Sequence, residues 1–384
     1  MSENSVWYEE EKKAAYYLSN ISGIGKKSLF RLLEQAGSAV EILRMSESSV
    51  YEVLDKKTAG IFLKHRNDRT NVLHPDFLKK EKGIDYISYT LPDFPARLRN
   101  IPDPPFGIFV KGKLPSEDKP SVAIIGARAC SEYGKNMAKY FGRRLGAAGI
   151  QIISGMARGI DGIAQSGALE GGGESYAVLG CGADICYPEE NKGLYEELPK
   201  RGGIISEYLP GTGARSSLFP PRNRIISGLS DLLLVIEARK KSGTYITVMQ
   251  ALEQGKEVFA VPGRIVDTLS DGCNYLLTQG AGVAVGPEVI IEELLKRNYT
   301  KNMLKSSHGY SEATLQAEEK VNDTVGSKIL SCLDITPVSI DEIYTKLTDS
   351  CRISMAELLL ELTKLQIQGK IIGEGNYYRL TYAL

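Results

Sequence analysis

The sequence is poor in the residues that build metal centres and disulfide frameworks. Its 384 residues include six cysteines and three histidines. No two cysteines form a Cys-x-x-Cys pair, and the histidines stand away from the cysteines along the chain. This spacing does not fit a zinc site, and we interpret the cysteines as reduced and mostly structural. We therefore expect neither a metal ion nor a cofactor.

Long apolar runs and an excess of one charge are also missing. No apolar stretch approaches the roughly 20 residues of a membrane span, and the N-terminal residues do not have the apolar segment of a secretory signal. We therefore expect a cytoplasmic protein without a membrane partner. Forty-seven basic residues balance forty-seven acidic ones. Because this balance gives no global attraction to nucleic acid, any polyanion has to be bound locally.

Changes in composition divide the chain into segments. At roughly 100 to 200 residues per domain, its length corresponds to two or three domains. Residues 1–82 are rich in helix formers and predict a helical accessory domain, whereas residues 83–297 carry most of the glycine. Residues 298–323 are polar, as in a linker. Residues 324–384 form a short, strongly patterned tail.

The middle segment alternates short apolar runs with amphipathic stretches. Continuously apolar strands separated by helices predict a parallel sheet covered on both faces, an α/β fold of the Rossmann-like type. Such sheets bind ligands beyond the carboxyl ends of their strands, so the residues after each run are the informative ones. The runs are 121–125, 151–154, 176–179, 203–206, 231–236 and 257–261.

Several of the loops that follow these runs contain residues suited to a phosphate. The first loop lacks the Gly-x-Gly-x-x-Gly spacing of dinucleotide sites and has Arg128 in the turn before a helix. The second, 154–161, is a glycine-punctuated turn that includes Gly155 and Arg158, with Asp161 as a predicted helix cap.

Two further loops extend this pattern. Phe219 stands close to Arg222, Asn223 and Arg224, and this combination suits single strands, because aromatic rings stack on bases while guanidinium groups bind phosphates. Ser242-Gly243-Thr244 opens another helix with small residues. Each loop alone can also be structural, but together they predict a polyanion site at one edge of the sheet.

These motifs, in this order, resemble the DNA-processing protein DprA (Smf) family. The resemblance runs from about Tyr89 to about Leu295, roughly half of the chain. It is carried by Gly126-Ala-Arg128, Ser154-Gly-Met-Ala-Arg-Gly-Ile-Asp161, Leu179-Gly-Cys-Gly-Ala-Asp184, Tyr187-Pro188, Phe219-Pro-Pro-Arg-Asn-Arg-Ile-Ile-Ser-Gly-Leu-Ser230, Glu237-Ala238, Ser242-Gly-Thr244 and Phe259-Ala-Val-Pro-Gly263.

The resemblance implies an extended Rossmann-like domain that binds single-stranded DNA. It further implies a recombination mediator without catalytic residues, which protects incoming DNA and loads the RecA recombinase during natural transformation. Carried over by position, the phosphate and sugar contacts are Arg128, Ser154, Gly155, Arg222, Asn223 and Arg224. Arg158, Phe219, Gly243 and Thr244 complete the predicted nucleic-acid site.

The resemblance also implies a homodimer, and the chain departs from the family at one position. Leu276, Leu277 and Val283 are predicted either as dimer contacts or as ordinary core residues. Gln165 stands where family members commonly have a histidine. Glutamine can hydrogen-bond but does not titrate near neutral pH, so a proton relay there is in doubt while DNA binding is not.

An enzyme is the main alternative. Nucleotide phosphoribohydrolases of the Lonely Guy type have a Gly-Gly-x-Gly-Thr-x-x-Glu loop with a catalytic carboxylate. Ser242-Gly243-Thr244 aligns with this loop, but Thr247 falls where the glutamate would be. Without that carboxylate the hydrolytic interpretation loses its base.

Both ends of the chain predict small accessory domains. Ile21-Ser-Gly-Ile-Gly-Lys26 resembles one helix-hairpin-helix unit of a helix-hairpin-helix or SAM-like domain, which either contacts DNA or is a merely structural hairpin. Helices over 325–333, 339–347 and 354–368, followed by two short strands, predict a winged helix. Because its third helix has no basic stripe, we favour a protein-interaction or regulatory role over duplex binding.

Overall fold

The computed structural model describes residues 3–66, 75–297, 325–333, 337–348, 353–367 and 370–380. The chain divides into two compact units, Met1–Tyr299 and Thr300–Leu384. The predicted linker 298–323 lies outside the described residues. The predicted boundary after residue 82 falls inside the first unit and stays a prediction.

Six helices precede the sheet, and polar side chains fix where several of them begin. Ser38, Ser46 and Asp55 each accept a hydrogen bond from the first turn of the helix that follows. The buried carboxylate of Glu11 accepts bonds from the amides of Ala39 and Val40, at 2.6 and 3.0 Å. The helices are α1 (Glu3–Ser19), α2 (Lys26–Ala36), α3 (Ala39–Arg44), α4 (Glu47–Val53), α5 (Lys56–His65) and α6 (Pro75–Lys82).

A nine-stranded sheet forms the centre of the first unit. Its order is β1-β2-β6-β5-β4-β3-β7-β8-β9. All neighbours from β6 to β9 pair in parallel, whereas β1 and β2 are antiparallel additions at one end. The strands are β1 (Ile84–Ser88), β2 (Gly107–Gly112), β3 (Ser121–Ile125), β4 (Gln151–Ser154), β5 (Ser175–Leu179), β6 (Gly202–Ser206), β7 (Leu232–Val235), β8 (Glu257–Ala260) and β9 (Gly282–Val283).

The six apolar runs found in the sequence coincide with β3 to β8, so the predicted parallel sheet is confirmed. From β3 the chain builds outward in one direction through β4, β5 and β6, then returns to the other side of β3 as β7. The connections therefore leave β3 and β7 in opposite directions. This arrangement opens a crevice beyond their carboxyl ends, which is where doubly wound sheets bind ligands.

Helices cover both faces of this sheet. Alternate side chains of β2 and β6 enter different cores: Phe109 and Ile204 join the cluster under the N-terminal helices, while Val110 and Ile205 join the opposite one. The ring of Tyr16 on α1 packs edge-on against Tyr86 at 5.1 Å. The helices are α7 (Ala96–Arg99), α8 (Glu132–Ala147), α9 (Ile160–Glu170), α10 (Lys192–Arg201), α11 (Phe219–Leu229), α12 (Thr244–Glu253), α13 (Asp271–Thr278) and α14 (Pro287–Lys296).

The second unit contains three helices and a small antiparallel sheet in the order β10-β12-β11. Ser339 and Ser354 each accept a bond from the amide three residues on, which caps the start of the helix that follows. The assignment as a winged helix stays a prediction. The elements are α15 (Val325–Cys332), β10 (Val338–Ser339), α16 (Ile340–Thr348), α17 (Met355–Ile367), β11 (Ile371–Glu374) and β12 (Tyr377–Leu380).

Helices α8 and α9, which follow β3 and β4, approach each other closely through small residues. A β-carbon on Gly142 of α8 would overlap the backbone carbonyl oxygen of Ala164 on α9. Because the overlapping atom belongs to the backbone of α9, relieving the overlap would require the whole helix to shift. Such a shift would also displace the loop between β4 and α9.

We expect Gly142→Ala to lower the free energy of unfolding by about 1 to 3 kcal/mol, because the added methyl group overpacks the contact between the helices. Gly193→Ala is the matched control, since this glycine of α10 has no atom within 4 Å of the position of its β-carbon. Urea denaturation measures both variants. Equal destabilisation by the two substitutions would contradict this account of the packing.

Candidate nucleic-acid interface

A cavity of about 670 Å³ lies at the carboxyl ends of β3 and β7. Loops after β3, β4, β6 and β7 contribute to its wall, as expected for residues that follow parallel strands. The cavity brings together six of the ten predicted nucleic-acid contacts, namely Arg128, Phe219, Arg222, Asn223, Gly243 and Thr244. It does not include Ser154, Gly155, Arg158 or Arg224.

Arg128 stands at the mouth of this cavity with its charge exposed. Its guanidinium carbon lies 5.3 Å from the centre of the Phe219 ring, and no hydrogen bond or ion pair joins it to another residue in the described ranges. The loop that carries it is fixed from below. The amide of Ala127 donates to the carbonyl of Glu237 at 2.7 Å, and the carbonyl of Ala127 accepts from the amide of Ile160 at 3.2 Å. The backbone at Arg128 is therefore fixed, while its guanidinium group has no ion-pair partner among the described residues.

An aromatic pair forms one wall beside Arg128. The rings of Tyr187 and Phe219 stack with their centres 5.5 Å apart and their planes 27° from parallel. Both residues also line a smaller adjoining cavity. Tyr187 is a site residue that the sequence reasoning did not select, although it belongs to the Tyr187-Pro188 motif. An aromatic surface beside a free guanidinium suits a base with its attached phosphate.

Arg222 lies beneath the cavity and is only 4% exposed. Its Nη1 donates to the carbonyl of Gly155 at 3.0 Å and to that of Val178, so it joins the carboxyl ends of β4 and β5. Burial lowers the pKa of Arg222 to about 10, which leaves the group charged at neutral pH. Burial also raises the pKa of Asp161 above its usual value, against the opposing effects of Arg222 and of the Gly155 amide.

Because Gly155 has no side chain, Arg222 and Asp161 can occupy the space beside it. A β-carbon there would lie 2.7 Å from Nη1 of Arg222 and 2.8 Å from Oδ2 of Asp161. The amide of Gly155 donates to that same carboxylate oxygen at 3.1 Å. The structure therefore places this amide, predicted to meet a phosphate, in an internal bond.

Ser154 and Gln165 also lie below the surface. The hydroxyl of Ser154 is fully buried and donates to the carbonyl of Ile124 at 2.6 Å. The side chain of Gln165 accepts from the amide of Met156 at 3.1 Å and donates to the hydroxyl of Ser175 at 3.3 Å. Gln165 thereby holds Met156 in its positive-φ conformation. The geometry gives both side chains internal roles, in place of the phosphate contact predicted for Ser154.

The remaining two predicted arginines are paired with carboxylates. Arg158 forms an exposed ion pair with Glu190. Arg224 is buried and holds Glu207 through two bonds of 2.7 and 2.8 Å, while its Nε donates to the carbonyl of Asp103 at 2.7 Å. The two arginines of the Arg-Asn-Arg motif therefore both form internal bonds. Asn223, which stands between them, lines the cavity, and no described residue bonds to its side chain.

The opposite wall of the cavity comes from the loop after β7 and the start of α12. Gly243 is the N-cap of α12 and Thr244 is its first residue. Arg239 also lines this wall and is exposed, yet the sequence reasoning did not select it. The basic run Arg239-Lys240-Lys241, directly after an apolar strand, is the signal that could have found it.

The predicted dimer contacts lie away from the cavity, near the β9 end of the sheet. Leu276 is buried in the core, and Leu277 packs against the same core from a half-buried position. Val283 lies on β9, the edge strand, and is 48% exposed. Among the described residues, no helix combines the length and the hydropathy required to cross a bilayer.

Comparison with known proteins extends these observations. Residues 85–295 match the family model described as DNA recombination-mediator protein A. The chain is 34% identical over 274 residues to the DNA processing protein DprA of Streptococcus pneumoniae, an alignment that covers 71% of this chain and 94% of that one. It is 39% identical over 220 residues to the DNA processing protein DprA of Bacillus subtilis, covering 57% and 74%.

Two solved structures are similar to this chain. The X-ray structure of the Streptococcus pneumoniae protein superimposes with a TM-score of 0.65 at 32% identity, over 73% of this chain and 97% of the other. A structure that describes the single-stranded DNA binding mode of DNA processing protein A from Helicobacter pylori has a TM-score of 0.50 at 31% identity, over 55% and 96%.

The different environments of Arg224 and Arg128 predict different effects on stability. We expect Arg224→Ala to lower the free energy of unfolding by about 3 kcal/mol, because it leaves the carboxylate of Glu207 without its buried partner. Arg128→Ala, the control at an exposed and unpaired arginine, should change it by less than about 0.5 kcal/mol. Urea denaturation followed by circular dichroism compares the two. If Arg128→Ala proves the more destabilising, the assignment of these environments is wrong.

Proposed function

The chain belongs to the DNA recombination-mediator protein A family, and on this premise we propose that it binds single-stranded DNA across the carboxyl edge of its sheet in DNA processing. The observation that carries the proposal is Arg128, an exposed cation beside the aromatic pair Tyr187 and Phe219 that no described residue pairs through a hydrogen bond or an ion pair. A paired arginine would first have to break an ion pair, whereas this one can meet a phosphate directly.

Each part of a strand has a suitable partner in this cavity. Phosphates meet Arg128, the side chain of Asn223 and the amides at the start of α12, while a base stacks against the outer faces of the aromatic pair. Arg222 adds positive potential from below without leaving its internal bonds. Because paired bases in a duplex cannot turn into a cavity, the site favours single strands, and a net charge of zero adds little nonspecific attraction to duplex.

We extend the proposal to the role of a recombination mediator. The chain holds incoming single strands during natural transformation and hands them to the RecA recombinase, without catalysis of its own. Support comes from the family and from Thr247, which lines the cavity at the position where the alternative hydrolase needs a carboxylate. A hydroxyl at that position cannot act as the general base.

The chain is also proposed to work as a homodimer that pairs through the β9 edge of the sheet. Val283 on β9 and Val285 just beyond it are 48% and 76% exposed, and exposed apolar side chains at a sheet edge favour pairing with another chain. Of the predicted contacts, Val283 is placed best for this role and Leu276 worst, since Leu276 is buried within its own subunit. Two DNA sites in one dimer would add avidity.

Arg128→Ala should weaken oligo-dT binding by about 1 to 3 kcal/mol, and the dependence of the logarithm of affinity on that of salt should flatten by about 0.7 for one lost phosphate contact. Fluorescence anisotropy at several salt concentrations measures both quantities. The matched control is Arg201→Ala, an exposed arginine at the end of α10 that lies at the amino edge of the sheet.

Oligo-dT and a duplex of equal length are compared in the same assay, with and without RecA and ATP. We expect a preference for the single strand and faster RecA filament formation on strands already bound by this protein. An unchanged affinity and salt slope in Arg128→Ala, or equal binding of duplex, would rule out the proposed site.

Val283→Arg should convert the dimer to monomers, because two arginines would face each other across the paired edges. Val6→Arg on α1 is the matched control, since Val6 is 45% exposed. Sedimentation velocity measures the oligomeric state of each variant. A dimer that persists in Val283→Arg, or wild-type protein that sediments as a monomer, argues against pairing through β9.

A further inference from the structure

Besides the amides at the start of α12, which the proposed DNA site already uses, this side of the cavity contains hydroxyl groups to which that site assigns no role. Ser242 and Thr247 both line the cavity. Thr247 is only 3% exposed, and no hydrogen bond joins its hydroxyl to another residue in the described ranges. The hydroxyl oxygen of Ser242 is buried and has no partner there either.

Unpaired buried hydroxyls are unusual in a folded protein. Two hydroxyls at helix ends elsewhere in the described residues are satisfied locally: that of Thr278 donates to the carbonyl of Tyr275 at 2.7 Å, and that of Ser230 donates to the carbonyl of Ser227 at 2.9 Å. Because buried polar groups nearly always have a partner, the buried and unpaired hydroxyl oxygen of Ser242, beside the unpaired hydroxyl of Thr247 at the same cavity, points to a ligand that supplies one.

The backbone and charges of this wall favour an anion. The amides of Tyr245 and Ile246 already donate to the carbonyls of Ser242 and Gly243, at 3.1 and 3.2 Å. The amides of Gly243 and Thr244 precede them at the positive end of α12, where helices bind phosphate. Arg239 adds an exposed cation at the rim. Asp161 is the single carboxylate among the residues that line the cavity, and it is held beside Arg222.

We propose that this wall, formed by Arg239, Ser242, Gly243, Thr244 and Thr247, is a phosphomonoester subsite that receives the terminal phosphate of a nucleotide. Because Thr247 lies deep in the cavity, this wall favours a terminal phosphate over an internal phosphodiester. An internal phosphodiester continues into the strand on both sides and needs two exits, whereas a terminal phosphate needs one. Hydroxyl and amide donors also match the additional unesterified oxygen of a monoester.

The size of the cavity agrees with a nucleotide as the ligand. Its volume of about 670 Å³ lies within the range of roughly 300 to 1,000 Å³ for small-molecule sites, and is far larger than a phosphate needs. The remaining space adjoins Phe219 and can hold the sugar and base. The nucleotide is either the end of a bound DNA strand or a free mononucleotide, and the inference rests on the proposed DNA site for the first of these.

The test compares four probes by fluorescence anisotropy and competition: oligo-dT with a 5′-phosphate, with a 3′-phosphate, with neither, and free thymidine 5′-monophosphate. We expect one phosphorylated end to bind about tenfold tighter than the unphosphorylated strand, as for hydrogen bonds to a charged group. Competition by the mononucleotide alone, without a gain for either strand, would assign the subsite to free nucleotides.

Two variants locate the effect. Thr247→Val keeps the shape of the side chain and Ser242→Ala removes the other unpaired hydroxyl, so each should abolish the gain from the phosphate. Thr278→Val is the matched control, because its hydroxyl is bonded within α13 and the residue does not line the cavity. Each variant's affinity for the unphosphorylated strand is its own reference, and Ser242→Ala serves alone if Thr247→Val does not fold.

The outcomes separate this inference from the proposed function. Equal binding of all three strands together with no binding of the mononucleotide overturns the subsite, as does a phosphate gain that survives in both hydroxyl variants. Binding of the unphosphorylated strand that still depends on Arg128 would leave the DNA site intact in either case. Conversely, mononucleotide binding that is lost in Ser242→Ala would support the subsite even if no strand bound.

Discussion

The guanidinium of Arg222, buried where the central strands end, is the interaction on which the site depends. It joins the carbonyl of Gly155 after β4 to that of Val178 within β5, and it balances the buried carboxylate of Asp161. Asp161 in turn accepts the amide of Gly155. A charge in this position requires several partners, so the single side chain of Arg222 on α11 links the loop after β4, strand β5 and, through Asp161, helix α9.

This fixed base determines which charges remain available above it. The chain has no net charge, and two of the arginines near the sheet edge are already paired with carboxylates: Arg158 with Glu190, and Arg224 with Glu207. Arg128 differs because its loop is held by backbone bonds and not by its own side chain. The positive charge that a strand can meet is therefore concentrated at the mouth of one cavity.

The two walls of the cavity have different chemistry. The wall of Arg128, Tyr187 and Phe219 offers a cation and aromatic surface, which suit a base and a phosphate of a strand with any sequence. The wall of α12 offers small hydroxyls, backbone amides and the positive end of a helix, which suit a compact anion. A nucleotide carries both kinds of group, so one molecule can span the crevice between β3 and β7.

The sequence by itself determined the parallel sheet, because continuous apolar runs between amphipathic helices have one stable arrangement, and it located the ligand edge in the loops after those runs. It did not reveal the antiparallel strands β1 and β2, because β2 joins the sheet by pairing with β6, far along the chain. Nor could it separate Arg128 from Arg224, since both are arginines beside small or polar residues. Only the tertiary structure decided that Arg224 meets Glu207, that Ser154 is buried, and that Arg239 and Thr247 reach the cavity. Availability for a ligand depends on which groups come from distant segments to pair with a side chain, and a local motif does not contain that information.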